Sequence, residues 1–286
     1  MSTPLFHFIW LIAGFIMGMF FMYNLVPLRM NQVHHLKARQ TTENPILQFG
    51  NPGPVVDLLE RTAYTTSFNR KDRIPYWVGE HLTADNLKAG SGVSRDKSSF
   101  TADTSIPLLF RVTTKDYTNS GYDRGHHAPA ADAVRSQATM DESFLMTNIA
   151  PQVGAGFNQQ YWAYLEKFCR DLTSTFSDVF VYTGPLFLPH SVDGTKYKLE
   201  YNVIGAHSPF ISVPTHYYKI ILVPLSSTQY AIGAFVLPNQ AIANSTPLTS
   251  FQVDLQAIEL ASGLQFFKLL DRTKFLNLCD KITCSV

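Results

Sequence analysis

Apolar residues gather first in one long unbroken block and later in short runs. From Leu5 to Leu28 there is no Lys, Arg, Asp or Glu, and Phe, Ile, Leu and Met dominate. At the helical rise that block spans about 36 Å, enough for a tilted crossing of the hydrocarbon layer. It predicts an N-terminal transmembrane helix, a membrane anchor or targeting segment over residues 1–29. A cleaved secretory signal normally has a basic start and a shorter apolar core, and a matrix-type presequence is amphipathic and Arg-rich. Arg29, Lys37 and Arg39 follow the block, and the positive-inside rule keeps that flank on the cytoplasmic or matrix side. Gly14 and Gly18 have the spacing that lets two such helices approach closely. Residues 30–54 are polar, contain Asn44-Pro45 and Asn51-Pro52-Gly53-Pro54, and show no sustained period. They read as a flexible linker.

Beyond residue 55 the pattern changes to short β-type runs: 107–113, 144–148, 179–183, 198–204, 217–223 and 230–237. Turn signals such as Thr183-Gly184-Pro185 and Asp193-Gly194 separate them. Two stretches carry helical spacing. Residues 158–172 place Trp162, Leu165, Phe168 or Cys169, and Leu172 on one face. Residues 251–262 follow a Thr249-x-x-Gln252 capping box and stop at Gly263. With no internal repeat and no second linker, residues 55–286 read as one α+β domain, a central antiparallel or mixed sheet with helices packed on it.

Composition changes this picture little. Hydrophobic content of 45% supports an ordered core, and 16 Gly with 16 Pro favour a loop-rich fold over a bundle. The net charge of +1 offers no global attraction for a polyanion, so any phosphate binding depends on a few placed cations. Cys169, Cys279 and Cys284 exclude a disulfide-dense scaffold and offer no pair of zinc knuckles. Cys169 falls in the apolar helical pattern and reads as a small core residue. Cys279 and Cys284 are close enough to pair, or are both tail thiols.

The chemistry concentrates in Tyr122-Asp123-Arg124-Gly125-His126. An imidazole is the natural general base at neutral pH, and its protonation should end activity. Arg124 offers a planar fork for phosphate oxygens. Gly125 lets the backbone pass close to a bound ligand or take a turn conformation closed to other residues. Asp123 is placed to orient the arginine or the local backbone. Downstream, Asn148 and Gln152 bracket a short segment. Asn158 opens a helix as an N-cap or as an amide ligand for a hard cation. Glu166 lies about 80° around that helix and about 12 Å along it from Asn158, too far to share a first coordination shell. Its plain alternative is a solvated helix carboxylate beside Lys167.

The stretch Ser120-Gly121-Tyr122-Asp123-Arg124-Gly125-His126-His127-Ala128-Pro129-Ala130 resembles the signature of the DNA/RNA non-specific endonucleases. Asn148-x-x-Pro151-Gln152-x5-Asn158-x3-Trp162-x2-Leu165-Glu166 resembles their second block. Pro75-Tyr76-Trp77-Val78, Thr183-Gly184-Pro185-Leu186, Val213-Pro214-Thr215-His216-Tyr217-Tyr218-Lys219 and Phe235-Val236-Leu237-Pro238-Asn239 are similar to the mitochondrial endonuclease G branch, especially its fungal members. The similarity runs from about residue 53 to residue 267.

The resemblance implies a ββα-metal (His-Me finger) nuclease fold and metal-assisted hydrolysis of DNA and RNA to 5′-phosphate products. It implies His126 as general base and Asn158 as the one direct protein ligand of Mg²⁺ or Mn²⁺. Glu166 would hold water on that ion, Asn148 and Gln152 would shape the catalytic site, with Gln152 also binding substrate, and Arg124 would stabilise phosphate charge. A second arginine is expected before the Trp77 strand: Arg73 by spacing, with Arg70 in competition. His127 reads as a neighbour, not a second base. The relatives further imply a homodimer and a mitochondrial location at the inner membrane, with the nuclease in the intermembrane space. The alternative is a signal-anchored protein of the secretory route. A membrane-tethered binder with an inactive site and a phosphodiesterase for small esters are the competing functional classes.

Overall fold

A computed structural model of the chain describes residues 44–205 and 210–286. The transmembrane anchor expected over residues 1–29 lies outside them, as does the linker up to residue 43. Among the described residues no helix is long and apolar enough to cross a membrane.

The elements run β1 (Leu58–Glu60), β2 (Tyr64–Asn69), β3 (Ile74–Leu82), β4 (Asp123–His126), α1 (Gln137–Ser143), β5 (Ile149–Gln152), α2 (Trp162–Asp171) and β6 (Val179–Leu186). They continue with β7 (His190–Ser191), β8 (Tyr197–Lys198), β9 (Val203–Ile204), β10 (Ile211–Ser212), β11 (His216–Pro224), β12 (Tyr230–Pro238), α3 (Leu255–Ser262) and β13 (Phe275–Asn277). Seven strands form the main sheet in the order β1-β2-β3-β6-β11-β12-β13. Every neighbouring pair is antiparallel except β12 and β13, which run parallel.

The central strands are apolar at nearly every position because both faces of the sheet are covered. On one face Val181, Tyr217, Ile221 and Phe235 pack with Trp162, Leu165 and Cys169 of α2. On the other, Phe180, Tyr182, Tyr218 and Ile220 pack with Ile258 of α3 and with Phe266 and Phe267. Residues 44–54 close this second face. Pro45 starts a short 3₁₀ turn that carries Ile46 and Leu47 inward, where both are buried. The Tyr182 hydroxyl donates to the Ile46 carbonyl at 3.1 Å. The folded unit therefore takes in residues from Asn44 on, ahead of the boundary expected at residue 55.

Several short elements differ from the sequence reading. Residues 107–113 form no strand; the Arg111 guanidinium donates to the Ile106 and Thr104 carbonyls at 2.6 and 2.8 Å, curling the run into a 3₁₀ turn over Leu108–Phe110. Residues 144–148 end α1 and begin another 3₁₀ turn at Met146, so the strand starts only at Ile149. The run 198–204 divides between β8 and β9. Helix α3 begins at Leu255 behind Asp254, because Gln252 spends its amide on Asn277 (2.7 Å) instead of boxing with Thr249. Gly263 ends it in the left-handed conformation, φ 72°, as expected. Cys169 is buried and free, while Cys279 and Cys284 form a disulfide.

Outside the main sheet, β4 and β5 pair as an antiparallel ribbon, with Asp123 opposite Gln152 and His126 opposite Ile149. An irregular turn over Gly154–Tyr161 then leads into α2, and Gly156 takes φ 80° within it. A Cβ on Gly156 would lie 2.6 Å from that of Ala241, so both the backbone angle and the close approach require glycine.

Candidate active site

The β4 ribbon and the turn before α2 face a cleft of about 390 Å³ whose walls include Arg95, Phe100, Tyr122, Asp123, Arg124 and Asn158. Alternation along β4 gives its side chains different tasks. Arg124 is exposed and lays its guanidinium 4.6 Å from the centre of the Phe100 ring. His126 is buried behind that ring, with ring centres 5.3 Å from Phe100 and 4.9 Å from Phe144. Its Nε2 has no hydrogen-bond partner among the described residues. Burial first, and then the Arg95 charge, push its pKa down to about 3. The imidazole is therefore neutral at physiological pH.

Asp123 orients neither the arginine nor the local backbone. Its Oδ2 accepts from Asn158 Nδ2 and from Gln159 Nε2, both at 2.8 Å. A carboxylate only accepts, so it takes the nitrogen end of the Asn158 amide and leaves the oxygen end unclaimed. Asn158 is not the N-cap: its own N–H donates to the Val153 carbonyl, inside the first turn. Among the described residues no group of three or more His, Cys, Asp or Glu side chains could hold a metal ion. A single amide oxygen in a polar cleft suits a hard, largely hydrated cation such as magnesium.

Asn148 and Gln152 are fully buried, so neither touches the cleft surface. Asn148 Nδ2 donates to the Ala128 and Ser143 carbonyls, both at 2.8 Å, and its Oδ1 accepts from Ala128 N–H at 3.0 Å. It clamps the chain immediately after His126. Gln152, expected at the substrate, packs beneath Gly125, where an added Cβ would meet its side chain at 2.1 Å. His127 is fully buried against Tyr217, and neither ring nitrogen has a partner among the described residues.

Neither arginine expected from the region before Trp77 reaches the cleft. Arg70 is engaged by both Asp57 oxygens at 2.5 Å. Arg73 takes φ 60° in the β2–β3 turn, where its N–H donates to the Asn69 carbonyl at 2.7 Å. Its buried guanidinium donates to the Leu109 carbonyl at 2.9 Å. The second cleft arginine is Arg95, which lies 5.1 Å from the Phe144 ring centre and acts electrostatically on both His126 and Glu166. Sequence reasoning missed it; the one available signal was Ser94 capping a short turn that presents Arg95 and Lys97.

Glu166 lies on α2, whereas Asn158 sits in the irregular turn that precedes it, and Glu166 is not among the cleft walls. It is half-buried, and burial, with the neighbouring Asp132, raises its pKa to about 7 against the opposing charges of Lys219, Arg170 and Arg95.

Residues 42–273 match the model of the DNA/RNA non-specific endonuclease family. The chain is 56% identical to a nuclease of Syncephalastrum racemosum, over 96% of this chain and 90% of that protein. It is 44% identical to the mitochondrial nuclease of Saccharomyces cerevisiae, over 84% of this chain and 74% of that one. Among solved structures it resembles a chain in a crystal structure of the EndoG/EndoGI complex, with a TM-score of 0.77 and 42% identity, covering 81% of this chain and 94% of that one. On these matches the chain is an enzyme acting on nucleic acids and belongs to the DNA/RNA non-specific endonuclease family.

Proposed function

We propose that this chain is a divalent-metal-dependent endonuclease that hydrolyses phosphodiester bonds of DNA and RNA without sequence preference, leaving 5′-phosphates. The observation that carries the reading is the Asp123–Asn158 contact. It fixes an unclaimed amide oxygen in the same cleft as Arg124, on the flank of a strand that ends in a neutral histidine. His126 takes the proton of the attacking water. Arg124 and Arg95 bind phosphate oxygens and offset the charge that grows on them. Asp123 and Asn148 keep the ligand amide and the strand end in register. Asn158 would hold the Mg²⁺ or Mn²⁺ and Glu166 would accept hydrogen bonds from its surrounding water; the bound ion supplies polarisation of a phosphate oxygen and stabilisation of the leaving 3′-oxygen.

Plasmid nicking with and without Mg²⁺ tests the reading. His126→Ala is expected to lose activity by about a thousandfold while remaining folded, and Asn158→Ala to lose metal affinity measured by calorimetry. Full activity in the first, or unchanged affinity in the second, removes that assignment. Comparing long DNA and RNA with a small bis-aryl phosphate separates a nuclease from a small-ester phosphodiesterase.

A mitochondrial location is the reading that the yeast relatives' names favour. The Cys279–Cys284 disulfide fits an oxidising compartment such as the intermembrane space, or the secretory route, better than the matrix. Protease protection of organelles carrying a C-terminally tagged chain distinguishes them.

A further inference from the structure

The turn that carries Asn158 does not close on itself. Over Gly154–Tyr161 the helical pattern is broken at Ala155 (ψ 133°) and Gly156 (φ 80°), so part of its backbone hydrogen bonding has to come from elsewhere in the chain. One segment supplies it, residues 239–246, which follow β12. At the entry of the turn, Asn239 Oδ1 accepts from the Val153 N–H at 2.9 Å, across 86 residues of sequence. In its middle, the Gly156 carbonyl accepts from the Ile242 N–H at 3.1 Å. At its exit, the Tyr161 hydroxyl donates to the Thr246 carbonyl at 2.7 Å. Packing follows the same line, with Ala241 close against Gly156 and Ile242 buried in the core that holds Phe157.

Asn239 makes the most bonds of these three grips. Its Nδ2 donates to the Pro151 and Pro214 carbonyls at 3.1 and 3.0 Å, and its own N–H donates to the Thr215 carbonyl at 2.9 Å. With two carbonyls at its nitrogen end and an N–H at its oxygen end, the amide has one orientation that satisfies all three. One step further on, the Val153 carbonyl accepts from the Asn158 N–H at 2.9 Å. Two hydrogen bonds therefore meet at Val153 and join the Asn239 side chain to the main chain of Asn158. The Asn158 side chain is tied separately, to Asp123 of β4 at 2.8 Å. That tie fixes the nitrogen end of the amide but leaves the backbone behind it free to shift, and a second point of attachment is needed to aim the oxygen.

We propose that Asn239 is a positioning residue of the metal site: it fixes the main chain behind Asn158, as Asp123 fixes its side chain, so that the unclaimed amide oxygen keeps one place in the cleft. This rests on the reading of Asn158 as the metal ligand. Asn239 is not among the cleft walls and is no ligand itself; it acts through Val153.

The test compares Asn239→Ala with Tyr217→Phe, which removes another hydrogen bond to the same Pro151 carbonyl (2.7 Å) and leaves Val153 untouched. Each variant is followed by thermal melts, by Mg²⁺ affinity from calorimetry and by amide hydrogen exchange. Asn239→Ala is expected to weaken Mg²⁺ binding by about tenfold or more, as loss of a group that orients a ligand does. It should also speed exchange at Val153 and Asn158 while the amides of β11 and β12 keep their protection. Tyr217→Phe should melt lower and keep its Mg²⁺ affinity within about twofold. Asn239→Asp keeps the acceptor and loses only the donors, so it should melt lower yet bind Mg²⁺ within about threefold of the wild type. A tenfold loss in that variant overturns the inference, and it carries the test should Asn239→Ala fail to fold. Unchanged Mg²⁺ affinity in a folded Asn239→Ala, or an equal loss in Tyr217→Phe, also overturns it while leaving the site reading intact. Unchanged affinity in Asn158→Ala removes the ligand reading and this inference together.

Discussion

Two adjacent histidines, His126 at the end of β4 and His127 just beyond it, are both pushed down to about pKa 3, chiefly by burial. A histidine with a depressed native pKa contributes stability that is present above pH 6.5 and lost as the pH falls toward 3, since the unfolded chain takes up the proton first. For one such group the difference in unfolding free energy between pH 7 and pH 5 is about 2 kcal/mol. His127→Phe is therefore expected to shrink that difference by about 2 kcal/mol in urea titrations at the two pH values, and an unchanged difference would show that His127 already carries a proton in the native state. Arg95 gives a second residue-scale prediction. Arg95→Ala should lower kcat by about a hundredfold, as loss of one stabilising donor does, whereas Arg73→Ala should act on stability and leave kcat nearly unchanged. The reverse pattern in a folded pair of variants would restore the spacing argument. Why the sequence pointed to Arg73 is physical. Spacing along a strand says nothing of a left-handed turn, and φ 60° at Arg73 turns its side chain toward Leu109. Arg95 comes to the cleft by a tertiary route that no local pattern records. Asp123, Arg124 and Asn158 line one cleft and each lies in a contiguous block of the sequence, but the partners of Asp123 could not be read from that block.

At the scale of elements, the ribbon of β4 and β5 depends on one missing side chain. Gly125 has a negative φ and no turn to make; glycine is required because Gln152 fills the space where a Cβ would stand, with Cδ, Oε1 and Cγ all within 2.4 Å of it. Gly125→Ala is expected to destabilise the fold by about 1–3 kcal/mol, in the range of overpacked cores, and to reduce cleavage by moving His126. Adding Gln152→Ala should recover part of the stability, because it opens the space the new methyl needs. If urea titration finds the double variant no more stable than Gly125→Ala, the close contact is not the reason for the glycine. The elements most legible in the sequence were β6, β11 and β12, whose apolar runs reflect burial on both faces. Those misread were decided by single side chains: Arg111 curling the run near Leu108, and Gln252 leaving its box for Asn277. Hydrophobic period senses a covered face, but it does not sense where a guanidinium or an amide finds a carbonyl.

For the whole molecule, the boundary of the folded unit is the feature that polarity hid. Residues 44–54 look like linker because prolines, asparagines and glycines dominate them, yet Ile46 and Leu47 complete the second core beside Phe180 and Tyr182. Gly53 approaches Leu264 so closely that a Cβ would meet it at 2.3 Å, and Gln265 N–H donates to the Pro52 carbonyl at 2.7 Å. These contacts tie the start of the unit to the segment following α3, about two hundred residues later in the chain, a long-range closure that only the folded state can hold. A chain beginning at Asn44 is therefore expected to fold and to nick plasmid DNA with Mg²⁺. A chain beginning at Val55 loses two buried aliphatic side chains and the cover over Tyr182, a cost of several kcal/mol by the usual core-deletion range. Its melting temperature should fall by about 10 °C relative to the chain from Asn44. At 25 °C its cleavage per folded molecule should be unchanged, because nothing it lacks touches the cleft. Melting temperatures that agree within a degree or two would mean that these residues merely lie on the second core without stabilising it. A fall in activity without a fall in melting temperature would instead make them part of the site.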